Sequence, residues 1–210
     1  GKALYVDPAT GADVSGNGSA NAPLRTIGFA LMQADQSAGT VERILLAAGS
    51  YAENITLVAN VSVIGPPRTS TKGGATATIT GTVDGAENAT LEDVDLVTTA
   101  NTGTLVNLDS SGMKIRRVRF FGVESDRGVT GILAQGSAAA SGLIDSCDFV
   151  DMGIGVDITG GVPTIRKCMF IEPSIAGIYV RETASIAPDG GLSTEADSQS
   201  GFNTFTFNPE

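Results

Sequence analysis

The chain has 210 residues, of which 41% are hydrophobic and 17% charged, and its 13 basic and 23 acidic residues leave a formal charge of −10. That is too apolar for a disordered chain, and no apolar run reaches the ~18 residues of a membrane span. The absence of histidine excludes Ser-His-Asp and Cys-His catalysis and His-bearing zinc sites, and the acidic balance argues against nucleic acid as a partner and against a polyanionic substrate unless a cation such as Ca²⁺ bridges it.

The opening Gly1-Lys2-Ala3-Leu4 has neither the basic nor the apolar region of a signal peptide. Leu4-Tyr5-Val6 reads as a short strand, and residues 7–23 as a polar loop of turn formers. Asp7, Asp13, Asn17 and Asn21 in that loop would offer oxygen ligands to Ca²⁺. The EF-hand spacing is absent, and an ordinary cap loop is the simpler reading. Ile27, Ala30, Leu31 and Ala34 then follow helical spacing behind Thr26, a good N-cap. This predicts one short amphipathic helix. Residues 1–40 form an N-terminal strand, loop and capping helix. Residues 41–210 are strand-rich, and the whole reads as one domain.

The dominant feature is a repeat. Leu91-Glu92-Asp93-Val94-Asp95-Leu96, Ile115-Arg116-Arg117-Val118-Arg119-Phe120, Ile144-Asp145-Ser146-Cys147-Asp148-Phe149 and Ile165-Arg166-Lys167-Cys168-Met169-Phe170 share one pattern, recurring every 21–29 residues. A fifth copy is placed at Phe202-Asn203-Thr204-Phe205-Thr206-Phe207, with Phe205 aligned to Cys168. A second series, led by Gly103, Gly131, Gly155 and Gly177, runs in phase with the first. Two phase-locked series of this period describe a solenoid with one turn per repeat. Short strands without the leucines of a leucine-rich repeat predict an all-β, single-stranded right-handed parallel β-helix of about six coils.

Stacked coils place like positions on one another. The inward ladders are Leu91/Ile115/Ile144/Ile165, Val94/Val118/Cys147/Cys168 and Leu96/Phe120/Phe149/Phe170. The outward ladders, Glu92/Arg116/Asp145/Arg166 and Asp95/Arg119/Asp148/Met169, alternate in sign, as favourable neighbouring pairs require. Arg116, Arg119 and Arg166 are therefore expected to pair with Glu92, Asp95, Asp145 and Asp148 in a structural role. Cys147 and Cys168 become inward neighbours, read as two buried thiols, with a disulfide as the alternative.

Tyr5-Val6, the Gly/Asn-rich loop, Ala22-Pro23-Leu24-Arg25-Thr26-Ile27, and the stretch Ile44-Leu45-Leu46-Ala47-Ala48-Gly49-Ser50-Tyr51-Ala52-Glu53-Asn54-Ile55 resemble the N-terminal cap and first coil of secreted right-handed parallel β-helix proteins of the pectate-lyase-like superfamily. Pectin methylesterases share the Gly-x-Tyr-x-Glu-Asn opening, but their active-site motifs and those of polygalacturonases are not found. The superfamily often carries an Asn ladder at one corner of the coil, where this chain has Asp93, Arg117, Ser146 and Lys167. The resemblance implies a secreted or cell-surface protein with a polysaccharide groove on the sheet that corresponds to the Gly103/Gly131/Gly155/Gly177 series.

On that sheet the outward positions are taken as Leu105/Leu133/Asp157/Tyr179 and Asn107/Gln135/Thr159/Arg181. One carboxylate lies among them, whereas a glycosidase needs two carboxyl groups ~5–9.5 Å apart, and a lyase needs a base and a cation. The plain reading of Asp157 and Arg181 is a pair bridging two coils. The functional reading is saccharide binding, with Tyr179 as a stacking platform and Gln135, Asp157 and Arg181 as hydrogen-bonding groups. Residues 183–200 are a long loop beside this face. The chain ends after its last phenylalanines without a capping helix, which suits a piece of a longer chain, a loop folded over the end, or a subunit contact. The expectation is a non-catalytic carbohydrate-associated module that binds polysaccharide or a cell-surface glycan without cofactor, as a monomer or as part of a longer chain. The alternatives are a polysaccharide lyase or glycoside hydrolase, and a structural or partner-binding spacer.

Overall fold

A computed structural model describes residues 1–67, 75–98, 100–122, 128–136, 142–181 and 204–206. The predicted loop 183–200 lies outside the described residues. Each coil contributes one strand to each of three parallel sheets, here A, B and C. Coil 1 is Val41–Leu46, Gly49–Tyr51 and Ile55–Thr56, and coil 2 is Ser62–Ile64, Ala77–Thr80 and Val83–Asp84. Coil 3 is Thr90–Glu92, Val94–Val97 and Thr102–Leu108, and coil 4 is Lys114–Arg116, Arg119–Phe121 and Gly128–Ala134. Coil 5 is Leu143–Asp145, Asp148–Val150 and Ile154–Ile158, and coil 6 is Thr164–Arg166, Met169–Ile171 and Ala176–Val180. Lys2–Val6 extends sheet A ahead of coil 1, and Thr204–Thr206 extends sheet B beyond coil 6. The described residues thus form a parallel β-helix of six coils.

The three inward ladders form the core, and every one of their residues is buried. The rings of Phe120, Phe149 and Phe170 stack almost parallel, with centroids 4.6 and 4.9 Å apart, which is the ~4.8 Å step between strands. Glycines opposite make room for them. A Cβ on Gly131 would lie 2.8 Å from the Phe149 ring, and one on Gly155 2.6 Å from the Phe170 ring.

The turn from sheet A to sheet B is made by single residues. Asp93, Arg117, Ser146 and Lys167 all have φ between 50° and 57°, a left-handed conformation that costs a non-glycine residue of order 1 kcal/mol or more. In each repeat this corner is the second of the two residues that follow the leading aliphatic. Part of the cost is offset by side chains: Arg117 Nε and Nη2 each donate to Asp93 at 2.9 Å, one coil below. A short Asn stack exists instead at the turn from sheet C to sheet A, where Asn60 and Asn88 have φ of 62° and 54° and Asn88 Nδ2 lies 3.4 Å from Asn60 Oδ1.

The predicted helix is α1, Ile27–Gln36, with Ile27, Ala30, Leu31 and Ala34 buried. Three orphan N–H groups at its start are satisfied by side chains. Thr26 Oγ1 accepts from Phe29 at 3.3 Å, while Glu53 accepts from Ile27 at 3.0 Å and from Gly28 at 2.8 Å. The rest of the Gly49-to-Asn54 motif is equally structural. Gly49 has φ 153°, and a Cβ there would meet Pro8 at 2.5 Å. The Tyr51 hydroxyl donates to the Ala47 carbonyl at 2.9 Å, and burial pushes its titration well up, so it remains a neutral donor. Asn54 Oδ1 accepts from the Thr82 N–H at 2.9 Å, tying coil 1 to coil 2. The motif that carries the family resemblance therefore fastens the cap.

Two alignments need correction. Thr204–Thr206 pairs Phe205 with Phe170, not with Cys168, so the fifth repeat is displaced by two residues. Phenylalanines at both alternating positions gave that segment no unique phase. In sheet C, Val106 pairs with Ile132 and Asn107 with Leu133, so Gly103 is not level with Gly131, and Leu105, expected to face outward, is buried.

Candidate functional site

The outward line on sheet C is set by its register: Thr56, Asp84, Asn107, Leu133, Asp157 and Tyr179 are successive partners from coil 1 to coil 6. Beside its upper end, Gln135, Thr159 and Arg181 stack on consecutive coils: Thr159 N–H donates to Ala134 at 2.8 Å and Arg181 N–H to Ile158 at 3.0 Å.

Asp157, Tyr179 and Arg181 come together as one unit. Arg181 donates from Nε to Asp157 Oδ1 at 3.1 Å and from Nη2 to Oδ2 at 2.7 Å. Asp157 is only 5% exposed, and the bidentate bond satisfies its charge. The same guanidinium lies 5.4 Å from the Tyr179 ring centroid, a cation–π contact that holds the ring in place. Tyr179 remains 45% exposed. Asp157 thus positions Arg181, and Arg181 positions the ring. Gln135 stands two coil steps from Arg181, roughly 10 Å away at ~4.8 Å per step, and no bond joins its side chain to the other three.

The corrected register adds carboxylates that the sequence reading left out. Asp84 lies directly under Asn107, whose Nδ2 donates to it at 2.6 Å. Asp109, rather than Asn107, is the residue level with Gln135, because Leu108 pairs with Ala134. Its Oδ1 accepts from Ser110 at 3.0 Å. Both carboxylates are exposed, whereas the acid of a glycosidase is set apart by a water-poor, apolar pocket.

On sheets A and B the arginines of the charged ladders form ion pairs with Asp95 and Asp145. Arg119 holds the buried Asp95 through bonds of 2.9 and 2.5 Å. Arg116 and Arg166 both approach Asp145, at 3.7 and 3.2 Å. Glu92 differs from expectation: it pairs with Arg117 at the corner, not with Arg116, because Arg116 turns to the next coil. Burial disfavours the Asp145 charge, but the Arg166 hydrogen bond and the nearby guanidinium charges outweigh it and hold its carboxyl below the usual value. A depressed native value stabilises the fold above the unfolded-state value of about 4, and that stability disappears as pH falls through the native value. The urea midpoint should therefore drop below about pH 4, and Asp145→Asn should flatten that part of the profile.

Cys147 and Cys168 are both free and buried. Burial, and then the neighbouring Cys168, pushes the Cys147 thiol well up, so it behaves as a small core residue. In the N-terminal loop, Asp7 accepts from Ala9 N–H at 2.8 Å and Thr10 Oγ1 at 2.6 Å, and Asp13 accepts from Arg25 N–H, Thr26 N–H and Thr26 Oγ1 at 2.7 to 3.0 Å. These carboxylates shape the loop and tether it to the helix N-cap. Among the described residues no three Cys, Asp or Glu converge as a metal-ligand group, and no helix is long and apolar enough to cross a membrane.

These features define a parallel β-helix whose sheet C carries an anchored aromatic ring. Compared with protein-family models, curated proteins and solved structures, the chain matches none.

Proposed function

We propose that the chain is an extracellular carbohydrate-associated module that binds polysaccharide on sheet C without catalysis. The observation that carries this reading is the half-exposed Tyr179 ring, clamped by Arg181 and Asp157 on a rigid sheet. A fixed aromatic face stacks on the C–H face of a sugar ring at little entropic cost. Gln135, Asn107 and Asp84, two, three and four coils below it, supply donors and acceptors for the hydroxyls of further sugar units along a bound chain. Asp157 is fully engaged by Arg181, which supports a positioning role rather than an acid–base one. The three-sheet coil and the N-terminal motif are in keeping with the pectate-lyase-like resemblance.

Retention on a polysaccharide panel, run with an assay for unsaturated or reducing products, tests the proposal. Tyr179→Ala is expected to weaken retention about two- to tenfold while leaving the thermal midpoint unchanged. Equal retention by the variant would discard this face as the binding site, and product formation by the native chain would replace the reading with a lyase or hydrolase drawing on Asp84 and Asp109.

A further inference from the structure

A cleft of about 270 Å³ opens at the turn from sheet B to sheet C, several coils from Tyr179. Four coils build it: Asn54 from coil 1, Thr80 and Thr82 from coil 2, Thr98, Thr102 and Thr104 from coil 3, and Val129 from coil 4. Among the described residues that line it, none is charged, although the chain carries −10 overall. The Thr98 hydroxyl is taken, accepting from the Ala100 N–H at 3.0 Å. The hydroxyls of Thr80, Thr82, Thr102 and Thr104 have no side-chain hydrogen bond among the described residues and are open to a ligand. Val97, Leu105 and Val129 add an apolar wall.

Two glycines shape the space, Gly81 by letting coil 2 pack closely on the backbone of coil 1 and Gly103 by leaving its side of the cleft empty. At Gly81 a Cβ would strike the Glu53 carbonyl at 2.1 Å, so backbone forms that wall. Gly103 has φ 118°, which excludes most side chains, and nothing lies within 4 Å of where its Cβ would be. Among the described residues the lining thus combines unpaired hydroxyls with aliphatic walls and carries no charge. That chemistry matches a neutral pyranose, whose ring presents hydroxyls at its edge and C–H groups on its faces. An ionic ligand would lose hydration there without gaining a counter-charge from the described lining.

We infer that this cleft is a subsite for an uncharged sugar unit. The inference rests on the polysaccharide reading of sheet C and extends it, because Thr82 immediately precedes the strand of Asp84 and Thr104 shares the strand of Asn107. One glycan chain lying across the coils would meet the neutral cleft at one end and Tyr179 at the other.

Amide chemical-shift mapping of the full chain with cellohexaose, xylohexaose and mannohexaose, and separately with polygalacturonate oligomers, tests it. The expected result is saturable shifts at Gly81, Thr82, Gly103 and Thr104 with at least one neutral hexasaccharide. The double variant Thr82→Val, Thr104→Val keeps the side-chain shape and removes two hydroxyls, and should weaken that binding about tenfold. Tyr179→Ala should leave the cleft shifts in place with reduced affinity. Shifts around Tyr179 without shifts in the cleft would overturn the subsite and spare the sheet C reading. No shift at either place with any of these probes would overturn both. The mapping on the native chain stands even if the double variant fails to fold.

Discussion

Phe149→Ala is expected to destabilise the protein by about 3–5 kcal/mol, more than any surface change. Phe149 is 1% exposed and lies between two nearly parallel rings. Its neighbours cannot close the gap, because Phe120 and Phe170 are fixed by strands paired above and below. The void would persist and its lining would lose contacts outright. Coils in a solenoid couple mainly to their neighbours, so the loss should appear as weakened cooperation between coils 1–4 and coil 6. Urea unfolding followed by circular dichroism, with hydrogen exchange at sheet B amides, would show it. A loss under 1 kcal/mol would mean that the rings do not form a continuous stack. Phe149→Leu should recover much of the stability, since most of the volume returns.

Glu53→Ala is the second large effect, expected at about 1–3 kcal/mol. The carboxylate satisfies two helix N–H groups across a sequence separation of 25–26 residues. The Ile27 N–H lies at a residue that is 0% exposed, so water cannot readily replace the lost acceptor. Helix α1 should loosen and uncover Leu31 and Ile55 at the start of the core. Faster exchange of α1 amides, with sheet amides of coils 4–6 unchanged, is the expected signature. Glu53→Gln should restore part of the effect by keeping one acceptor. Equal exchange in native protein and Glu53→Ala would assign the cap to apolar packing alone.

The core was legible because the repeat places one aliphatic, one small and one large residue at fixed steps, and burial demands that order in every coil. The alternating charges confirmed the same register independently. Sheet C was harder to phase. Its strands range from the two residues of Val83–Asp84 to the seven of Thr102–Leu108, and Gly103 stands two residues out of level with the aligned Gly131, Gly155 and Gly177. The contact of Tyr179, Arg181 and Asp157 could be foreseen because coils 5 and 6 are phased correctly. Asp84 was missed because a two-residue strand has no pattern of its own. The threonine cleft had no linear signal at all, since its lining is drawn from four coils.

The alternating charge ladders carry a consequence for how this molecule can change length. Excising coil 4 alone would set Glu92 beside Asp145 and Asp95 beside Asp148, anion against anion. Excising coils 4 and 5 together would bring Glu92 next to Arg166 and restore attraction. On sheet A growth or shrinkage of the coil stack is therefore favoured in steps of two, whereas on sheet B the same excision would leave Asp95 beside Met169.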